Sequence, residues 1–255
     1  KYSVCILFFL FSFFSCSGQQ EAKQEPVFGE KAPSLKIKRF DKDLHQYITD
    51  PSVDKQRRLA EIYKDFLPAF GRITINNSDS YKPEFFARLR AYFSHEMLAT
   101  IYNDALNTFE DVSGYEAELG AADELIAFHF NGRKLPALYM HVSGFKENVM
   151  VLDGIISLST DRYLGADYPA YNQFFEEYQF FQMQPQFVVR DYIKAWLLTE
   201  NTFAEKKKTL LSERVREGKV LYALSQVLPA WTKENLIGYT PAQLQWNEEH
   251  EPRIW

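Results

Sequence analysis

Five histidines, His45, His95, His129, His141 and His250, are the residues best able to do chemistry in this chain, and metal binding is the first chemistry to test. Ser94-His95-Glu96-Met97-Leu98-Ala99 opens like a His-Glu-x-x-His zinc clamp. That clamp needs two imidazoles four residues apart on one helical face, and a glutamate to take the proton of metal-bound water. Ala99 stands where the second imidazole must be, so a half-exposed helical histidine is expected at His95. His129 and His141 flank a turn and are able to face each other. Nothing at a recognisable spacing supplies a third or fourth ligand. Asp41, Asp43, Asp161, Asp167 and Asp191 have no visible partner, so no acid–base pair is assigned. There is no Gly-x-Ser-x-Gly elbow, P-loop or Gly-x-Gly-x-x-Gly. The expectation is no enzyme, no metal and no cofactor.

The two cysteines point elsewhere. Residues 4–14 are apolar except Ser12, and Ser15-Cys16 follows. An apolar run of about 10 residues is too short for a helix across roughly 30 Å of hydrocarbon, which takes about 20. It fits the hydrophobic region of a secretory signal peptide. Ser15-Cys16 resembles a bacterial lipobox, in which the cysteine is acylated and becomes the first mature residue. The expected organisation is a signal peptide over 1–15, a lipidated flexible tether over 16–34 and a single domain over 35–255. The tether is rich in Gln, Glu, Lys, Pro and Gly. Cys5 leaves with the signal, so the mature body has no thiol for a disulfide, a cysteine–zinc site or thiolate catalysis.

Composition narrows the partners. A net charge of -5 argues against nucleic acid, which needs a basic face, and against charge-driven binding to anionic lipid. An apolar content of 46% is ample for a large core, and aromatic residues are abundant at 16%. The pairs Phe85-Phe86, Phe174-Phe175 and Phe180-Phe181 read as core rather than as a ligand box.

The elements that must position these groups follow from periodicity. Residues 35–44 read as a short strand. Leu59, Ile62, Phe66 and Phe70 predict a helix ending at Gly71. Pro83 opens another, with Phe86, Leu89, Phe93, Met97 and Ile101 on its apolar face. A third spans 116–128. The period then shortens: 137–143, 148–152 and 155–159 are β-type runs. Asp153-Gly154 is a two-residue hairpin signal, and together the runs predict a small antiparallel meander. From Tyr171 the chain is helical again, with Pro185 and Pro229 as boundaries and Gly218 inside a long helix. Thr240-Pro241-Ala242-Gln243 is a capping box. The fold class expected is α+β, mostly helical.

Three stretches carry a resemblance. They are Ile156-Ser157-Leu158-Ser159-Thr160-Asp161-Arg162-Tyr163-Leu164-Gly165 with Asp167-Tyr168-Pro169, then Met183-Gln184-Pro185-Gln186-Phe187-Val188-Val189-Arg190-Asp191. The third comprises Glu217-Gly218-Lys219-Val220-Leu221-Tyr222, Ile237-Gly238-Tyr239-Thr240 and Gln243-Leu244-Gln245-Trp246. In order and spacing they resemble the gliding-motility lipoprotein GldB family of Bacteroidetes bacteria. The resemblance implies an envelope lipoprotein needed for gliding, linked to type IX secretion and acting by protein–protein contact. It would be anchored to the inner or outer membrane through Cys16 and face the periplasm. It also implies that the chain runs on past Ile254-Trp255, so a C-terminal truncation is expected. The family's architecture is similar to gluzincin-type (zincin-like) metallopeptidases with the metal ligands lost. Glu217 of Glu217-Gly218 would be the residual ligand, and residues 176–182 would stand where the histidine-bearing helix belongs. A zinc-dependent periplasmic hydrolase using Glu217 is the alternative. The candidate interaction residues are Tyr163, Leu164, Gly165, Tyr168 and Tyr171, in a loop whose aromatics and turn residues suit an interface. Packing of the same tyrosines between sheet and helices is the competing reading.

Overall fold

Strands that are apolar on both faces have to be covered on both faces. The computed structural model describes residue 26, residues 33–200 and residues 209–254. The predicted signal, Cys16 and nearly all of the tether lie outside the described residues. The order is β1 (Ile37–Lys38), α1 (Phe40–Thr49), α2 (Val53–Ile62), α3 (Leu67–Ile75), α4 (Pro83–Phe93), α5 (Glu96–Thr108) and α6 (Ser113–His129). Then come β2 (Ala137–His141), β3 (Val149–Leu152) and β4 (Ile155–Ser159), with 3-10 turns at Thr160–Arg162 and Pro169–Gln173. The chain closes with α7 (Glu177–Phe180), a 3-10 turn at Pro185–Phe187, α8 (Val188–Thr199), α9 (Leu210–Val227), α10 (Lys233–Ile237) and α11 (Pro241–Ile254). The α+β expectation holds. Among the described residues no helix is long and apolar enough to cross a membrane.

The meander is corrected. The sheet runs β1-β2-β4-β3 and is mixed. β2 and β4 are parallel, paired from Ala137↔Ile155 to His141↔Ser159, and only β3 and β4 form the antiparallel hairpin that Asp153-Gly154 predicts. The reason lies in residues 142–148. They cross the end of β4's position and deliver the chain to its far side, so the hairpin returns β4 between β2 and β3. Asp161 pins this crossing: its Oδ2 accepts the backbone N–H of Phe145 at 2.8 Å and of Ser143 at 3.3 Å.

Strand alternation sorts the core into two halves. Leu138, Met140, Ile156 and Leu158 join Leu119, Ile126, Val189, Trp196 and Leu224 of α6, α8 and α9. Tyr139 and Ile155 join Phe40, Phe66, Phe70, Phe86 and Tyr102 of the N-terminal helices. The predicted strand at 35–44 shrinks to two residues, because Phe40, Leu44 and Tyr47 have helical spacing and are buried from α1. Gly71 does not stop its helix. It sits inside α3, where a Cβ would come 2.1 Å from the Phe85 ring and 2.4 Å from the Asn77 carbonyl, and the helix ends instead at left-handed Asn76. The helix from Pro83 breaks at Ser94-His95, and His95 takes an extended backbone before α5. The capping box forms as read: the Gln243 N–H donates to Thr240 Oγ1 at 3.2 Å and the Thr240 N–H to Gln243 Oε1 at 2.9 Å.

Candidate functional site

The three motif stretches converge on the first turn of α8. Arg190 is 1% exposed, so its guanidinium must find partners inside the protein. Its Nε donates to Asp191 Oδ1 at 2.8 Å, Nη1 to the Asn235 carbonyl at 3.2 Å and Nη2 to Gln182 Oε1 at 3.1 Å. Its plane lies 4.4 Å above the Phe187 ring. Tyr163 Oη donates to the other carboxylate oxygen of Asp191 at 2.8 Å. Gly238 closes the cluster at φ +84°, where a Cβ would come 2.5 Å from Arg190 Nη1 and 2.6 Å from the Gln182 amide carbon. Left-handed backbone and close approach together require glycine there. Each motif stretch therefore contributes a piece of one buried lock, and the lock ties α8, α10 and the turn after β4 together.

A second buried centre lies beside it. Asp161 is fully buried with its Oδ1 accepting a hydrogen bond from the Ser159 hydroxyl, in addition to the two backbone N–H bonds described above. Burial pushes its carboxyl above the usual range, against the pull of those hydrogen bonds. Tyr171, also fully buried, donates to the Asp161 carbonyl and accepts the Leu164 N–H, both at 2.8 Å. His141 is enclosed by Phe66 and Phe70, with ring centroids 5.9 and 5.8 Å away. Its Nδ1 meets Ser157 Oγ at 2.7 Å, its Nε2 has no partner, and burial lowers its pKa to about 3. Burial thus favours the neutral imidazole, as an imidazolium protonated on both nitrogens would carry an uncompensated charge in an aromatic core.

The loop singled out from sequence is mostly inward. Tyr163 and Tyr171 are 1% and 0% exposed. Tyr168 is half-buried, with its hydroxyl on Asp104 Oδ2 at 2.7 Å, and half-buried Leu164 packs beside it. Gly165, at φ +117°, turns the chain with its N–H on the Met183 carbonyl at 3.0 Å. What the loop presents to solvent is Asp167, Pro169, Asn172, Gln173 and Phe174.

Glu217 lines a cavity of about 470 Å³ between α8 and α9, together with Lys194, Leu198, Arg216 and Tyr239. Its carboxylate is exposed and pairs with Arg214 at 2.8 Å. No imidazole lines this cavity, and its other charged walls are mostly cations, so the donor set does not suit zinc. Among the described residues no group of three His, Cys, Asp or Glu side chains is arranged to share a metal ion. Glu177, in the segment aligned above with a histidine-bearing helix, lines a separate cavity with Asp167 and Phe175.

A family model described as gliding motility protein GldB matches residues 21–255. The chain belongs to the GldB family. GldB is a gliding-motility lipoprotein family, which implies association with the cell envelope. No curated protein and no solved structure matches the chain. The motif residues that carried the resemblance thus include Arg190, Asp191, Gly238 and Tyr163, which build the lock of this GldB body. Sequence reasoning missed that role: Arg190-Asp191 was visible as a motif, but nothing in the spacing showed that Gln182, Asn235 and Gly238 would close around it.

Proposed function

We propose that this chain is a lipid-anchored, non-catalytic envelope component that serves gliding by contacting other proteins of the motility and type IX secretion machinery. The observation that carries this reading is the two-faced character of α9. Val220, Ala223, Leu224 and Val227 are buried against the core. Leu211, Val215 and Tyr222 are 65%, 43% and 69% exposed. At about 100° per residue these three fall together on roughly the opposite side of the helix. A surface helix ordinarily keeps its apolar residues on one stripe, and a second, wet stripe is the mark of a contact surface. Gly218 lies between Val215 and Tyr222 with open space above it, so a partner backbone can approach closely there. The buried lock fits the same reading, because the hydrogen-bonding capacity of Arg190 and Asp191 is spent on the fold.

The test is crosslinking and pull-down of the full chain from envelope membranes of gliding cells. A motility or secretion protein is expected among the captured chains. Capture of none would overturn the reading. So would stoichiometric zinc in the purified protein that is lost on Glu217→Ala.

A further inference from the structure

The cavity between α8 and α9 has charges and walls that the lock and the α9 stripe leave unused. Lys194, Arg214 and Arg216 line it against Glu213 and Glu217. Arg214 and Glu217 neutralise each other. Arg216 is held by a neutral group, its Nη2 donating to the Leu198 carbonyl at 3.1 Å. Lys194, half-buried on α8, forms no ion pair among the described residues. Two cations and one carboxylate, Glu213, thus remain at the cavity, a net positive charge beside an apolar wall made by Leu198, Ile237 and Tyr239. Leu198 and Tyr239 remain 39% and 38% exposed, so the wall is wet in the free chain.

We propose that this cavity docks an acidic segment of a partner protein, with a carboxylate between Lys194 and Arg216 and an adjacent apolar side chain against Leu198, Ile237 and Tyr239. The inference rests on the protein-contact reading above and deepens it by naming the chemistry of the partner. Charge complementarity favours this occupant. A basic segment would meet Lys194 and Arg216 head-on, whereas a carboxylate adds to Glu213 the second negative charge that the two cations leave unmatched among the described residues. Arg216 is preset for it, because its hydrogen bond to the end of α8 fixes the guanidinium before a ligand arrives. The apolar wall next to the cations asks for a segment that alternates acidic and apolar side chains, as an extended strand of peptide does.

The probe is an acetylated, amidated peptide of three Leu-Glu repeats, titrated against the full chain by fluorescence anisotropy, with a Leu-Gln peptide as control. The Leu-Glu peptide is expected to bind at low salt and to weaken as salt is added. The Leu-Gln peptide should bind at least about tenfold more weakly, and Lys194→Met, which keeps the aliphatic stem, should weaken the Leu-Glu peptide about three- to tenfold. Arg216→Gln should act in the same direction. Both variants should melt with the wild-type chain, since neither side chain is in a buried ion pair. Absence of binding, equal binding of the two peptides, or binding indifferent to Lys194→Met would each overturn the proposal. Any of these outcomes alongside persistent envelope crosslinks would remove the cavity as the docking site and leave the protein-contact role standing.

Discussion

His141 should make this protein acid-labile in a way that one substitution removes. Its imidazole is fully buried, touches Ser157 through Nδ1 and is enclosed by Phe66 and Phe70, and burial lowers its pKa from 6.5 to about 3. Because the folded value lies below the unfolded one, the stabilisation is fully present above about pH 6.5 and is lost as pH falls toward about 3. Each unit of pKa difference is worth about 1.36 kcal/mol. At about pH 4.5 the unfolded chain has taken up the proton while the folded chain still excludes it. That two-unit gap removes about 2.7 kcal/mol of stability relative to neutral pH. His141→Asn keeps an amide near the Nδ1 position for Ser157 and cannot titrate. Losing the ring will cost about 1–3 kcal/mol at any pH, so the informative quantity is the difference between two pH values. Guanidinium unfolding of the full chain at about pH 7.5 and about pH 4.5 gives that difference for each protein. The wild-type difference should exceed the Asn variant's by about 2–3 kcal/mol. Titrations shared by both proteins, including the buried carboxylates Asp41 and Asp161, largely cancel. Equal pH dependence within about 0.5 kcal/mol would refute a neutral, water-excluded His141.

Three further outcomes follow from the same geometry. Asp161→Asn should fold and be at least as stable as wild type at neutral pH. Burial raises the Asp161 pKa, so the cost of its charge is absent at low pH and appears as pH rises through the carboxylate range. Asp161→Ala instead strands the N–H groups of Ser143 and Phe145 and should lose about 3 kcal/mol or more by denaturant melts. Arg190→Met leaves Asp191 without its cation and should cost about 3–5 kcal/mol, while Gly238→Ala forces a side chain onto left-handed backbone against Arg190 and should cost about 1–3 kcal/mol. Tyr222→Lys, on the wet face of α9, should leave stability within about 0.5 kcal/mol and impair gliding when it replaces the wild-type chain, measured as colony spreading.

What could be read in the chain beforehand was what local chemistry dictates. The Thr240 capping box and the Asp153-Gly154 hairpin are short-range signals, and each appears where the pattern sets it; the apolar stripe from Pro83 does so only as far as Phe93, because the chain breaks at Ser94-His95 before Met97 and Ile101. The parallel pairing of β2 with β4 was not legible. It depends on Asp161 gathering N–H groups from a loop 16 to 18 residues earlier, a contact that no strand periodicity encodes. Gly71 was misread as a stop because its role is to admit the Phe85 ring, a tertiary demand that looks like a terminator in one dimension. The candidate site divides the same way. The motif stretches identified the family, yet Tyr163 and Tyr171 proved to be packing residues, since an aromatic-rich turn reads alike whether it faces water or core. Their hydroxyls both find buried partners, and an alternating pattern could not reveal that. The second stripe on α9 was present in the spacing of Leu211, Val215 and Tyr222. It became visible only once the buried stripe had been assigned to Val220, Ala223, Leu224 and Val227.

The protein-contact account turns on that second stripe, and site-specific photo-crosslinking tests it most directly. A photoreactive residue placed at Tyr222, at Val215 or, as control, at exposed Asp54 on α2 would be activated in intact gliding cells. The account predicts discrete adducts with another envelope protein from positions 222 and 215 and none from 54. Absence of adducts from 222 and 215, or the same adducts from all three positions, would contradict it.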